Sequence, residues 1–391
     1  MQDAGTADGV SGTRSFLPAV EGMRACAAMG VVLTHVAFQT GNSSGWYGRL
    51  FTRFDLAVAV FFALSGFLLW RGHAAAARGL RKRPKTGHYL RSRLVRIMPA
   101  YLVAVVVILI LLPDAEADLT VWLANLTLTQ VYVPLTLTSG LTQMWSLAVE
   151  VSFYLVLPLL ALLARHLPVR ARIPTIVVLA LASFAWPALP WQLPFGVNQM
   201  NWMPALFSWF AGGMVLAELT VEPLGWMHRL ARRRWLMAAI TAVAFVIAAT
   251  PLAGNIGLAP GTVSQVVVKT SMGAVVAFTL LAPLVLDAPG TPHRLLGSTL
   301  MVTLGRWSYG LFIWHLAALD MVFPVIGEFP FTGYMPLVLV LTLIFGFAIA
   351  AVSYALIESP CREALRRWES RKAPVVLDSA ITDLPEPAPA R

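Results

Sequence analysis

Apolar residues occupy ten long stretches of the chain, separated by short polar segments. Each stretch is 16 to 25 residues long, and a helix needs about 20 mostly apolar residues to cross the hydrocarbon core of a bilayer. The pattern therefore predicts an all-α, polytopic integral membrane protein with about ten transmembrane helices. The predicted helices are residues 16–39, 55–70, 97–113, 141–164, 173–190, 203–220, 235–251, 263–287, 299–323 and 335–357.

One further segment, residues 119–140, is apolar but interrupted. Asn125, Gln130 and Pro134 break its apolar pattern. Polar backbone of this kind is tolerated at membrane depth only where protein or water covers it, so we interpret the segment as re-entrant or interfacial. If it does cross, the number of helices becomes eleven and the two termini lie on opposite sides.

Composition and charge support this fold class and orient it. Hydrophobic residues make up 58% of the chain and charged residues 12%, about half of the ~25% usual in a soluble domain. Nine Lys or Arg lie between Arg71 and Arg96, and further basic residues fall in alternate loops. Because such residues collect in cytoplasmic loops, we expect both termini in the cytoplasm and the protein in the cell (inner or plasma) membrane. The same sorting accounts for the net charge of +10 without a nucleic-acid partner.

The sequence predicts one membrane-embedded domain over residues 14–362. Residues 363–391 begin with basic residues and end with four prolines after Lys372, which predicts a basic, then Pro-rich, disordered cytoplasmic tail. The motifs of nucleotide-binding loops, serine hydrolases and metal sites are missing from the sequence. We therefore expect no bound cofactor and no metal.

Ionisable residues inside the apolar stretches are costly and are candidates for function. Arg24 and His35 are eleven residues apart, which is about 16 Å along a helix and about three turns, so both project from nearly the same face. In the predicted topology His35, Glu150 and His315 all lie in the outer half of the membrane. Hydrogen bonds between helices are the structural alternative for each.

Arginines gather at the other depth, near the cytoplasmic face. Arg24, Arg93, Arg96 and Arg306 lie there, and guanidinium groups match phosphate oxygens. Topological sorting and binding of anionic lipid are the alternatives. An arginine clamp inside and a histidine outside suit a reaction between a cytoplasmic phosphorylated donor and an extracytoplasmic acceptor.

Six short motifs follow one another along residues 14–362. They are Glu21-Gly22-Met23-Arg24 with His35, Phe61-Phe62-Ala63-Leu64-Ser65-Gly66, Arg93-x-x-Arg96 with Pro99, Trp145-Ser146 with Glu150, Gly305-Arg306 with Trp314-His315, and Glu358-x-Pro360. In this order they resemble the bacterial acyltransferase-3 family of integral-membrane O-acyltransferases. Glu21 replaces the aspartate that is frequent in the first motif, and the chain resembles the stand-alone members that lack a fused esterase-like domain.

The resemblance implies transfer of an acyl group, by analogy acetyl, from cytoplasmic acyl-CoA, a donor substrate, to a hydroxyl of a cell-envelope glycolipid or polysaccharide. A macrolide-type natural product is the alternative acceptor, and a proton-coupled transporter or flippase is the alternative function. His35 is the candidate general base or the covalent acyl carrier, Glu150 its partner and His315 a second base. Arg24, Arg93, Arg96 and Arg306 are expected to bind the CoA phosphates.

Overall fold

A computed structural model describes residues 17–112, 117–254, 261–288 and 291–372, and within these ranges the chain is helical and contains no strand. Short 3₁₀ turns join several of the helices, as at Arg53–Leu56. The helices are α1 (Pro18–Gln39), α2 (Gly45–Thr52), α3 (Ala57–Ala77), α4 (Thr86–Leu111), α5 (Leu119–Leu126), α6 (Trp145–Ala164), α7 (Val169–Ser183), α8 (Phe207–Leu219), α9 (Trp226–Ala231), α10 (Arg234–Ala249), α11 (Val263–Val285), α12 (Thr299–Ile326), α13 (Met335–Ser353) and α14 (Ser359–Lys372).

The predicted all-α membrane fold is confirmed. Seven helical segments of the described chain are long and apolar enough to cross a bilayer. Helices α8 and α10 are apolar but shorter, and the polar Arg24 and His35 lower the hydropathy of α1. Each of the ten apolar stretches thus contains a helix, while the number of crossings and the sides of the termini stay predictions. Helix α5 has eight residues, too few to cross, and the chain between it and Leu141 forms turns.

Three predicted boundaries differ from the structure. Helix α4 begins at Thr86, just after Pro84, rather than at 97, because Arg, Leu and Met favour helix as strongly as the apolar residues that follow. Helix α7 ends at Ser183, before prolines 187 and 190 disfavour further helix. Helix α14 continues to Lys372, so the predicted start of the tail at 363 falls inside a helix, and residues 373–391 lie outside the described ranges.

Close approaches at glycines hold the bundle together around its polar residues. A Cβ on Gly305 of α12 would overlap the backbone oxygen of Glu21 in α1. A Cβ on Gly213 of α8 would likewise overlap the backbone oxygen of Ala63 in α3. Small residues let membrane helices pack backbone to backbone, and the first of these contacts brings Arg24 against α12.

Candidate functional site

A large basic cavity of about 1410 Å³ enters the bundle from the end where α1, α4 and α12 begin. Its wall comes from segments that the sequence places in the cytoplasm. Three acidic side chains, Glu21, Glu222 and Asp287, also face it. Burial acts to raise the pKa of Asp287, but a 2.7 Å hydrogen bond from Arg234 lowers that pKa overall, so this carboxyl stays ionised. The basic residues of the wall are Arg71, Arg81, Lys82, Arg93, Arg96, Arg232 and Arg294.

A second, narrow cavity of about 60 Å³ continues from the first towards the centre of the bundle. The two cavities share Leu68, Leu69, Arg93 and Arg96 as lining residues. Arginines 93 and 96 therefore stand at the junction, because helix α4 carries them at adjacent turns on one face. A ligand that fills both cavities passes these two cations.

Helices α1 and α4 bring three of the four predicted arginines together. Arg24 of α1 also lines the narrow cavity, and its Nε donates to Ser308 Oγ at 3.3 Å and lies 3.7 Å from Glu21 Oε2. The buried Nε of Arg93 has no hydrogen-bond partner in the described structure. A buried guanidinium nitrogen without a partner is costly, so these side chains are suited to an oxyanion ligand.

Glu150 lies in the narrow cavity with these arginines rather than beside His35. Its Oε1 accepts hydrogen bonds from Ser65 Oγ and, at 2.6 Å, from the Tyr154 hydroxyl. Glu150 and Arg24 both line the cavity wall. The carboxylate thus orders a small polar patch and balances part of the positive charge.

The two predicted histidines come together, as their matching depths indicated. The rings of His35 in α1 and His315 in α12 have centroids 5.1 Å apart. His315 is fully buried, and its Nδ1 lies 2.7 Å from the backbone oxygen of Phe312. Because a carbonyl only accepts, Nδ1 carries the proton and Nε2 presents a lone pair. That Nε2 is buried and has no partner among the described residues.

An aromatic pair stands between the narrow cavity and the histidines. Phe61 and Phe312 both line the cavity, and their rings meet edge to face at 6.2 Å. The Phe312 ring lies 6.0 Å from the His315 ring on its other side. The cavity therefore stops at these two side chains, one residue layer short of the histidines.

Arg306 stands apart from the other predicted site residues. Its side chain is exposed and lines neither of these cavities, because the face of α12 that carries Ser308 and His315 is the one that turns inward. Nor does any group of three His, Cys, Asp or Glu in the described ranges have a geometry that holds a metal.

Other polar residues of the site escaped the sequence analysis as candidates. Tyr154 follows Glu150 by one turn, and Ser65 lies in the second motif, so helical spacing offered a signal for both. Glu358 is buried in a π-helical turn between α13 and α14, and it interacts electrostatically with Arg24 and Arg96. A π turn is frequent at functional sites, but it leaves no mark in the sequence pattern.

The helices and the two adjoining polar cavities define a multi-pass membrane protein with a substrate-sized site inside the bundle. Residues 17–355 match the acyltransferase-3 family, described as an acyltransferase domain. The chain therefore belongs to this family, which confirms the resemblance of its motifs.

One curated relative is the acyltransferase MdmB of Streptomyces mycarofaciens. It is 28% identical to this chain over 314 residues, which cover 76% of this chain and 78% of the relative. No solved structure matches the chain. The family makes the protein a membrane acyltransferase and leaves open its donor and acceptor.

Proposed function

We propose that this protein transfers a short acyl group, acetyl, from cytoplasmic acyl-CoA to a hydroxyl of a cell-envelope glycolipid or polysaccharide at the cell (inner or plasma) membrane. One observation carries the proposal. A large basic cavity narrows past paired arginines into a small cavity that ends at Phe61 and Phe312, one side-chain layer from two histidines. This is the shape required to hold a long polyanionic donor at one end and to present its reactive tip at the other.

The charge of the large cavity supports CoA as the donor. CoA carries several phosphates on its nucleotide end and a slender neutral arm on its thiol end. The phosphates fit the cation-rich wall of the large cavity, which also has room for the arm, and the acyl end of the arm reaches the narrow cavity. Arg93 and Arg96 at the junction bind the phosphate nearest the arm, and Arg24 lines the arm's path.

The size of the narrow cavity supports a short acyl chain. Its volume is about 60 Å³, and Phe61 and Phe312 close its far end. One water occupies about 30 Å³ of liquid, so the narrow cavity has the room of about two waters, which is enough for a small acyl group at the tip of the donor. An acetyl group suits this space better than a long chain does.

The histidines supply the proton chemistry in this proposal. The acceptor oxygen forms a bond to the acyl carbon while the carbon–sulfur bond breaks, and CoA leaves with the sulfur electron pair. His35 takes the hydroxyl proton and returns it to the thiolate. His315 Nε2 presents its lone pair in the same space, so it either polarises His35 or shares the proton. An acyl-histidine intermediate on His35 is the covalent variant of this step.

Glu150 acts as a positioning residue in this scheme. It fixes Ser65 Oγ and the Tyr154 hydroxyl and offsets the arginine charge near the donor arm. Its proposed effect on His35 is indirect, through the shape and field of the narrow cavity. We do not place it in contact with the reacting atoms.

The test is acyl transfer in membrane vesicles that contain the full chain. Labelled acetyl-CoA is supplied with a lipid and glycan extract, and free CoA and labelled acceptor are measured. We expect His35→Ala to lower transfer by roughly 10²–10⁴-fold, and His166→Ala, which changes an exposed histidine, to leave it unchanged. The proposal is contradicted if neither wild type nor His35→Ala transfers an acyl group of any length tested, although both are well expressed.

A further inference from the structure

A second polar cluster lies at the His35 end of the bundle, remote from the large cavity. It consists of Arg53 and Asp55 in the 3₁₀ turn before α3 and Lys269 in α11. Lys269 Nζ lies 2.5 Å from Asp55 Oδ2, and Arg53 Nη1 lies 3.9 Å from the same oxygen. Two cations thus share one oxygen of a single carboxylate.

A hydrogen bond ties this cluster to the histidine helix. Thr34 Oγ1 donates to the backbone oxygen of Thr52 at 2.6 Å. His35 follows Thr34 directly, and Arg53 follows Thr52 directly. Asp55 is moreover a charged neighbour of His35. The cluster is therefore held beside His35, on the side away from the donor cavities.

The cluster carries buried polar atoms that nothing in the described chain satisfies. The Arg53 side chain is only 3% exposed, yet its Nε and Nη2 have no hydrogen-bond partner there. Asp55 Oδ1 is also buried without a partner. A buried polar atom without a hydrogen bond raises the free energy of the protein. A ligand that supplies the missing hydrogen bonds removes this cost, which favours binding.

The types of these atoms identify the chemistry of the ligand. Two are donors and one is an acceptor, and they lie on neighbouring residues of one turn. A phosphate or carboxylate satisfies the two donors but only repels the Asp55 oxygen. A hydroxyl both donates and accepts, so two adjacent hydroxyls satisfy all three atoms together. The exposed fractions of Asp55 (31%) and Lys269 (38%) leave a way in.

We propose that Arg53, Asp55 and Lys269 form a subsite that binds a polyhydroxylated ring beside His35, as the acceptor of the reaction. The inference rests on the proposed function only in calling the ligand an acceptor. Arg53 donates hydrogen bonds to neighbouring hydroxyls and Asp55 accepts one from them, while the ion pair with Lys269 fixes the Asp55 side chain. A third hydroxyl of the ring then faces the histidine pair.

Binding is tested first, because it requires no turnover. Purified full-length protein in nanodiscs is unfolded thermally with methyl glucoside, methyl galactoside or methyl mannoside, and separately with inorganic phosphate or cyclohexanol. We expect at least one glycoside to raise the unfolding temperature and cyclohexanol to leave it unchanged. Phosphate can also bind the arginines of the large cavity, so any shift it causes is expected to persist in Asp55→Asn and Lys269→Gln. The same two substitutions abolish the glycoside shift. Glu328→Gln, which removes a carboxylate at the same end of the bundle, retains it.

The outcomes separate this inference from the proposed function. A phosphate shift that Asp55→Asn or Lys269→Gln abolishes means that the cluster is an anion site, and no shift with any glycoside means that it is no polyol site. Each outcome overturns the inference and leaves acyl transfer untouched. In the vesicle assay, Asp55→Asn is expected to raise the half-saturating acceptor concentration roughly 10–100-fold while the half-saturating acetyl-CoA stays the same. If both constants change equally, or if neither changes, the subsite is refuted. If wild type binds glycosides but never consumes acyl-CoA, the proposed function fails and the binding site stands.

Discussion

His315 is the residue whose protonation pattern the structure defines most closely. Its Nδ1 donates to the Phe312 carbonyl, so its basic nitrogen is Nε2, which points into a buried space next to the His35 ring. A histidine held in one tautomer by a backbone carbonyl is suited to proton transfer. The sequence analysis ranked it second to His35, but the geometry makes the two a pair.

We predict that His315→Ala lowers transfer by at least about 10²-fold, since a general base contributes roughly 10²–10⁴-fold. CoA binding, measured by isothermal titration, stays within about twofold of wild type, because His315 lies beyond the donor cavities. His315→Phe keeps the volume of the ring and serves as the packing control. Full activity of the phenylalanine variant contradicts a chemical role for His315.

Arg96 and Arg306 provide a test variant and its matched control for donor binding. Arg96 lines both cavities and Arg306 lines neither. Arg96→Gln is expected to weaken CoA binding roughly 10–100-fold, which is the loss of one charge-assisted hydrogen bond. Arg306→Gln is expected to bind CoA as wild type does. Equal affinity of the two variants for CoA contradicts the assigned clamp.

The Phe61–Phe312 pair gives a third prediction at this scale. Phe61→Leu and Phe312→Leu enlarge the closed end of the narrow cavity, and we expect each variant to gain at least about tenfold in its preference for butyryl-CoA over acetyl-CoA relative to wild type. A methylene in an apolar pocket is worth about 10–200-fold in discrimination. Phe38→Leu, in the edge-to-face pair Phe38–Phe331 at the end of α1, is the control. An unchanged ratio means that another wall sets acyl length.

At the scale of elements, one buried carboxylate joins α3, α7 and α8. Glu218 is fully buried and accepts hydrogen bonds from Trp70 Nε1, Arg78 Nη1 and Arg172 Nε at 2.6–2.8 Å. Arg78 also pairs with the more exposed Glu222. Burial acts to lower the pKa of Arg78, but these two carboxylates raise that pKa overall, so the guanidinium stays charged.

Removal of Glu218 leaves two cations without their shared partner. We predict that Glu218→Ala lowers the free energy of unfolding by about 3–5 kcal/mol, as for other broken buried ion pairs. Glu222→Ala, whose side chain is 30% exposed, is expected to cost about 1 kcal/mol or less. Denaturation of both variants in detergent, followed by circular dichroism, checks the ranking. Equal losses would mean that burial of Glu218 is unimportant.

Hydropathy predicted the helices well, because apolar length is what a bilayer demands of a helix. It did not predict that α4 begins at Thr86, since the basic residues before 97 form helix without being apolar. It likewise could not show that Arg306 faces outward while Ser308, two residues later, faces the core. That orientation depends on how α12 packs against α1 and α13, which is tertiary information.

For the same reason the sequence predicted Glu150 as the partner of His35, whereas the structure places Asp55 as the charged neighbour of this histidine.

At the scale of the whole molecule, the cavity wall bears on topology. The large cavity is lined by segments that the basic-residue bias places in the cytoplasm, including residues 17–21, 71–96, 220–232, 284–288 and 291–297. The contact from Phe331 N to Gln39 O at 2.7 Å joins two segments that the same bias places outside. Both observations are consistent with one orientation of the bundle, in which the mouth of the large cavity faces the cytoplasm.

We predict that alkaline phosphatase fused after residue 196 or residue 330 is active, and that fusions after residue 80 or residue 225 are inactive. Green fluorescent protein fused to the C-terminus is expected to fluoresce, because it folds on the cytoplasmic side. The phosphatase fusions also distinguish ten crossings from eleven. Active fusions at both residue 80 and residue 225 would invert the assigned sides, whereas activity at 225 with an inactive fusion at 80 means eleven crossings.

The narrow end of the cavity has an electrical consequence. Water and ions in the large cavity reach Arg93 and Arg96 deep inside the bundle, so the potential of that compartment extends there with them. The voltage across the membrane then falls over the part of the bundle between these arginines and the outer face, rather than over the whole bilayer. Moving one elementary charge through 100 mV changes its energy by about 2.3 kcal/mol. A proton that reaches His35 from the outer face therefore crosses part of this voltage, and its availability at the histidine differs between an energised and a depolarised membrane.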